Sequence, residues 1–157
     1  MLIELPAAVY QTRALAKLVD FISVGSNDLT QYLLAVDRNN PRVANLYSAF
    51  HPAILNALYQ VVLQAQGQKK PVSICGEMAG DPGAAVLLLA MGFDTLSMNA
   101  SALLKVKSVI RSVSLDTARD LLDQVMQMED AQTIRSAVDL TLYNAGVDRL
   151  LRSSRTN

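Results

Sequence analysis

Through residues 1–112, short apolar runs alternate with stretches whose apolar residues recur at helical spacing. Leu2-Ile3-Glu4-Leu5 is a brief apolar segment closed by Pro6, and residues 7–18 carry Val9, Ala14, Leu15 and Leu18 on a helical period. Phe21-Ile22-Ser23-Val24 reads as a second strand, ended by Gly25, with a helix expected from Leu29 to Ala35 and a polar loop from Asp37 to Pro41. Pro52 suits the first turn of a longer helix that ends near Gly67. Val72-Ser73-Ile74-Cys75 is the third strand. Pro82 opens a helix that Gly92 closes, Thr95-Leu96-Ser97-Met98 is the fourth strand, and a helix from Ser101 to Arg111 follows.

Strands separated by helix-length crossovers pair in parallel, so the fold class is α/β. Parallel sheets are ordinarily covered on both faces, and these strands are expected to be apolar throughout rather than alternating. Ligands of such folds collect at the carboxyl ends of the strands. In this chain those ends carry Glu4, then Asn27 and Asp28, then Cys75 and Glu77, then Met98 and Asn99.

Beyond Ser114 the strand pattern stops. Ser114 is placed to cap a helix reaching about Met128, with Leu115, Ala118, Leu121, Leu122 and Val125 on its apolar face. Asp130 is placed to cap a second helix, with Ile134, Val138, Leu142 and Tyr143 on one stripe, stopped near Gly146. The polar end from Arg152 to Asn157 is expected to fray. The organisation is therefore an α/β segment, 1–112, and a C-terminal helical extension, 113–157.

Fourteen basic residues balance fourteen acidic ones, which speaks against a nucleic-acid partner. The longest apolar run, Ala84 to Met91, has eight residues, too few to span a membrane. One cysteine permits no internal disulfide and suits the reducing cytoplasm.

Three clusters are equipped for chemistry. Glu4 and Asp28 are carboxylates after separate strands, and a carboxylate taken from water needs a partner or a metal. Magnesium binds through one or two protein carboxylates and completes its octahedron with water and substrate oxygens. The plainer alternative for Asp28 is a helix N-cap. Gly25-Ser26-Asn27-Asp28 is a second cluster, a glycine and small polar residues that open a helix toward an anion. Arg38 downstream offers a fork for carboxylate or phosphate, or is simply a solvated loop residue. The third is Cys75-Gly76-Glu77-Met78-Ala79-Gly80-Asp81, where an ordinary thiol, with a pKa of about 8.5, can donate a proton at neutral pH. Its alternatives are an inert cysteine or a nucleophilic pair with His51, the sole histidine, which no feature of the sequence brings near Cys75.

Taken in order, Leu2-Ile3-Glu4-Leu5-Pro6-Ala7-Ala8, Phe21 to Tyr32, Leu34 to Asn39 and Cys75 to Asp81 resemble the phosphoenolpyruvate-binding domain of the enzyme I family. These are the phosphoenolpyruvate–protein phosphotransferases that start the bacterial phosphotransferase system. The wording around Asp20, Val36-Asp37-Arg38-Asn39-Asn40 and Leu96-Ser97-Met98-Asn99 is similar to the nitrogen-related paralogue. The resemblance implies a (β/α)8 TIM barrel that binds magnesium and phosphoenolpyruvate at its strand ends. It implies Glu4 and Asp28 as magnesium ligands, and Asn27 and Arg38, with Asp28 beside them, as substrate-binding residues. Cys75 becomes the acid that protonates the enolate methylene, giving pyruvate. Ser26 stands where the family pattern has threonine and keeps its hydroxyl.

A complete barrel takes about 250 residues and eight strands, whereas four strands are expected here. The family's phospho-accepting histidine lies on an N-terminal domain, through which a phosphocarrier protein is served. The first barrel half supplies further basic residues. The chain is thus expected to be the second half of a barrel, inactive alone, that pairs as a homodimer to cover an apolar inner face. Two other readings are a non-catalytic dimerisation or regulatory fragment and a magnesium-dependent pyruvate or phosphoenolpyruvate lyase. The Cys75–Asp81 run speaks against the lyase.

Overall fold

The structure is a computed structural model that describes residues 1–147. The end expected to fray, Arg152 to Asn157, lies outside the described residues, as does the rest of 148–157. The order is β1 (Leu2–Ile3), α1 (Pro6–Ala16), β2 (Ile22–Gly25), α2 (Ser26–Leu34), a 3-10 turn (Ala44–Leu46), α3 (Pro52–Gln66), β3 (Val72–Cys75), α4 (Glu77–Gly80), α5 (Pro82–Met91), β4 (Thr95–Ser97), α6 (Ala100–Ser112), α7 (Leu115–Val125) and α8 (Ala131–Asn144). The four strands form one sheet in the order β1-β2-β3-β4, every pair parallel.

Register explains why the sheet is two-faced. Ile3, Val24, Ile74 and Leu96 lie in one row across the strands, with Ile22 and Val72 in a second. Ile3, Ile22, Val24 and Ile74 are completely buried, each contributing about 1.5–3 kcal/mol of burial. The intervening rows are Leu2, Ser23, Ser73 and Thr95, then Gly25, Cys75 and Ser97. Leu2, Thr95 and Ser97 are exposed, and Ser23, Ser73 and Cys75 half-buried. The strands therefore alternate, against the expectation of continuous apolar runs. The less covered face is therefore largely hydroxylic, where an apolar inner face is expected.

Local sequence sets the element ends. Pro6, Pro52 and Pro82 open α1, α3 and α5, where their missing N–H is no loss. Ser114 and Asp130 accept hydrogen bonds from Thr117 N and Thr133 N, capping α7 and α8 as expected. One hydrophobic core runs from Ile3 to Val147 through both expected segments, with α7 and α8 packed against α5. Ile134, Val138 and Leu142 enter that core, while Tyr143 and Leu115 are exposed, outside the stripes assigned to them. Tyr143 follows Leu142 directly and turns away with the helical period.

Candidate functional site

The carboxyl ends of the strands open onto a cleft of about 700 Å³, lined among others by Asn27, Cys75, Glu77, Asp81, Ser97 and Asn99. Gly25 and Cys75 are register partners at the ends of β2 and β3. Helix α2 starts at Ser26, earlier than the expected Leu29, so Ser26, Asn27 and Asp28 form its first turn directly above the strand. Gly25 caps it without a side chain, and Asp28 makes no cap hydrogen bond, which removes the N-cap alternative for that residue.

Glu4 reaches this point from β1. Its carboxylate lies over Gly25, where a Cβ would stand 2.6 Å from Glu4 Oε1 and 2.7 Å from Cγ. Glu4 and Asp28 are both half-buried. Among the described residues, neither makes a side-chain hydrogen bond or ion pair. Two such oxygen donors, Glu4 over Gly25 and Asp28 in the first turn of α2, fit in chemistry the modest demand of a magnesium ion. No cluster of three or more His, Cys, Asp or Glu that could hold a metal occurs among the described residues. Any ion here would rest on these two and on non-protein oxygens.

The Cys75–Asp81 run is not a loop but β3, a glycine hinge and one helical turn. Gly76 has φ +106°, and a Cβ there would collide with Ser26 Oγ and Asn27 Oδ1, so only glycine allows the turn to close. Ser26 Oγ donates to Cys75 O at 2.8 Å, and Glu77 N donates to Asn27 Oδ1 at 3.0 Å. The second bond fixes the Asn27 amide with its NH₂ uncommitted and able to donate toward the cleft. Cys75 is a free, half-buried thiol on the cleft wall.

Arg38 arrives from the connection after α2 and donates to Glu77 Oε1 at 3.2 Å. Tyr47, on the same connection, donates to Asn27 O at 3.3 Å. Burial pushes its phenol above the ordinary value, and the Glu77 and Asp28 carboxylates add to the shift. Thr30 Oγ1, fully buried, has no hydrogen-bond partner among the described residues, though its nearness to the phenol offsets part of the rise.

At the far end of the run, Asp81 Oδ1 accepts from Gly83 N and Ala84 N, capping α5, while Oδ2 meets Arg135 at 2.8 Å. Burial draws the Arg135 guanidinium down, but Asp81 and Asp139 outweigh it and hold its pKa above the ordinary value.

Glu4, Asn27, Asp28 and Cys75 thus gather at one sheet edge, and Arg38 joins them through Glu77. His51 does not. Its Nδ1 accepts from Ala53 N and caps α3. Tyr47 and Arg135 escaped the sequence reading. The Asp81-Pro82 step, a cap residue before proline, carries a legible signal for the α5 cap, while Arg135 shows locally only its i,i+4 pairing with Asp139.

Comparison with known proteins places these features in context. The model of the PEP-utilising enzyme, PEP-binding domain family matches residues 1–115, stopping at the first residue of α7. A protein of Escherichia coli strain K12, "Phosphoenolpyruvate-dependent phosphotransferase system", is 41% identical over 152 residues, 97% of this chain and 20% of that protein. The phosphoenolpyruvate-protein phosphotransferases of Haemophilus influenzae and Geobacillus stearothermophilus are each 41% identical, over 88% and 90% of this chain and 24% of each relative. The chain spans a quarter or less of the length of these curated relatives.

Proposed function

Because the chain belongs to the family of PEP-utilising enzymes, matching their PEP-binding domain, we propose that its cleft grips magnesium and phosphoenolpyruvate and that it is the substrate-binding portion of a phosphoenolpyruvate–protein phosphotransferase. In this reading the sheet is the second half of a (β/α)8 barrel. The observation that carries the reading is that the paired ends of β2 and β3 bear the Glu4 carboxylate over Gly25, an oriented Asn27 amide and the free Cys75 thiol, with Asp28 in the helical turn that starts there.

Glu4 and Asp28 would hold the magnesium ion, which when bound neutralises oxyanion charge as the phosphoryl group departs. Asn27 donates its free N–H to the substrate. Arg38 exchanges Glu77 for a substrate carboxylate or phosphate, an anion that a planar guanidinium fork suits better than a single-contact ion pair. The P–O bond of phosphoenolpyruvate breaks and the phosphoryl group passes to a histidine nitrogen. Cys75 Sγ then gives its proton to the methylene carbon of the enolate, yielding pyruvate, and the thiolate regains a proton from solvent. The accepting histidine would come from another domain, because His51, the only one in this sequence, caps α3 and is not among the residues lining the cleft. A phosphocarrier protein is the downstream acceptor, and the setting is the cytoplasm, where the single thiol stays reduced. Two copies would pair through apolar surface such as Leu103 and Leu104 on α6, both exposed.

Cys75 provides the test, as the only thiol in the chain. Its alkylation rate is measured with phosphoenolpyruvate, with magnesium, and with both. Protection is expected only with both, and Glu4→Gln should remove it. An alkylation rate indifferent to the pair at millimolar concentration would overturn the reading.

A further inference from the structure

Helix α8 lies beyond the residues that build the cleft, yet one of its side chains reaches both segments that carry site residues. Arg135 donates through Nη1 to Asp81 Oδ2 at 2.8 Å and through Nε to Asp139 Oδ1 at 3.0 Å. Its guanidinium carbon stands 4.9 Å from the centroid of the Phe50 ring. Asp81 closes the segment that begins at Cys75. Phe50 closes the connection that carries Arg38 and Tyr47. Asp139, one turn along α8, holds the guanidinium in orientation.

Met78, Ala79 and Phe50 pack into the core, and Arg38 bridges the two segments at Glu77, but the remaining long-range hydrogen bonds of both segments lie at their cleft ends. Ser26 and Asn27 fix Cys75 and Glu77, and Tyr47 reaches Asn27 O. Between these ties runs the single turn α4, too short to hold itself by helix cooperativity. Asp81 spends one oxygen on the α5 cap and the other on Arg135, so the guanidinium fixes the plane of the carboxylate that ends the turn. A planar fork stacked on an aromatic ring and bonded to two carboxylates loses little freedom in doing so.

We propose that Arg135 is a positioning residue for the candidate site, a clamp by which α8 holds the thiol-bearing segment and the Arg38-bearing connection in one arrangement. In its consequence for ligand binding this rests on the phosphoenolpyruvate reading; the clamp itself is a statement about two segments.

The test compares the whole chain with Arg135→Met, which keeps an apolar stem over Phe50, and Arg135→Lys, which keeps the charge without the fork. Asp81→Asn retains the α5 cap and loses the ion pair, and Arg119→Met is a control at a surface pair with Asp116. Amide exchange is followed without ligand across residues 75–84 and 45–51, together with Cys75 alkylation and the phosphoenolpyruvate–magnesium concentration giving half protection. Arg135→Met and Asp81→Asn should speed exchange in both segments by about fivefold, the scale expected for losing a charge-assisted contact at a half-exposed site. Alkylation should quicken, half protection should require more ligand, Arg135→Lys should fall between, and Arg119→Met should change nothing.

Lowered thermal stability with exchange no faster in these segments than in the α7–α8 core would reduce Arg135 to a structural contact and overturn the proposal. Unchanged exchange would also overturn it. Wild-type chain that is never protected by ligand would defeat the phosphoenolpyruvate reading, and the exchange comparison would still decide the clamp.

Discussion

Replacing Gly25 by alanine separates the site from the fold. The backbone at Gly25, φ −86° and ψ 94°, is open to any L-residue, so no conformational strain is introduced. Loss of glycine from the unfolded chain stabilises by about 0.4–1 kcal/mol. Against this stands the new methyl group, 2.6 Å from Glu4 Oε1, 2.7 Å from Cγ and 3.1 Å from Cδ. Overpacking of a rigid neighbour costs about 1–3 kcal/mol. Glu4 is half-buried and can swing aside, so the lower end applies. The net change is about 0–1 kcal/mol, a fall in Tm of ~4 °C or less for a chain of this size. Glu4 must nevertheless leave its place over the strand end. Alteration of residues that merely support a metal ligand already costs roughly 10–100-fold in affinity, so displacing Glu4, a ligand in the proposed reading, should weaken the magnesium response by at least about tenfold. The assay pairs a thermal melt with a magnesium titration of Cys75 protection at saturating phosphoenolpyruvate. A variant with wild-type Tm and wild-type magnesium response would refute the placement of Glu4 at the ion. A variant that fails to fold would refute the packing argument.

Gly76→Ala should behave differently, because φ +106° and the collision with Ser26 and Asn27 have no flexible way out; urea unfolding should show a loss of about 2–4 kcal/mol. Ile74→Ala, at a fully buried position of β3, should cost about 2–5 kcal/mol by the same measurement. The pKa of Asp130 is held below its ordinary 3.8 by hydrogen bonds from the Thr133 backbone and hydroxyl. Its stabilisation of α8 is complete above that ordinary value and is lost as pH falls through the lower folded value. Asp130→Asn, which caps without titrating, should flatten the acid limb of helicity followed by circular dichroism. The chain alone, given magnesium and phosphoenolpyruvate, is expected to release no pyruvate in a coupled assay, since its only histidine sits at the α3 cap and is not among the residues lining the cleft.

What was legible in the sequence was what neighbouring residues decide. Ser114, Asp130, Pro52 and Pro82 announced their helix ends because capping and the missing proline N–H act within one turn. The strand ends announced Glu4, Asn27, Asp28 and Cys75 because an α/β fold collects its polar chemistry there. The sheet's alternation was misjudged from Ser23 and Ser73, single polar residues in apolar runs, whose face is decided by which side the helices cover. Helix α2 begins earlier than the sequence suggests because Ser26-Asn27-Asp28 reads as a loop, whereas Gly25 lets the helix begin against the strand. The short turn α4 was hidden between two glycines. Arg135 was invisible for a simpler reason: its partners Asp81 and Phe50 lie far away along the chain, and no period or motif links them.

The ion site proposed at the ends of β1 and β2 is open to a direct measurement. Manganese replaces magnesium at carboxylate sites and broadens the NMR signals of nearby amides. Titrated at substoichiometric levels, it should erase the amides of Glu4 and Leu5, of Gly25 to Leu29, and of Cys75 and Gly76, before any others. Glu4→Gln with Asp28→Asn should abolish that pattern. Broadening that starts instead on the exposed carboxylates of α7, Asp116, Asp120 and Asp123, and leaves the strand ends sharp, would contradict the account.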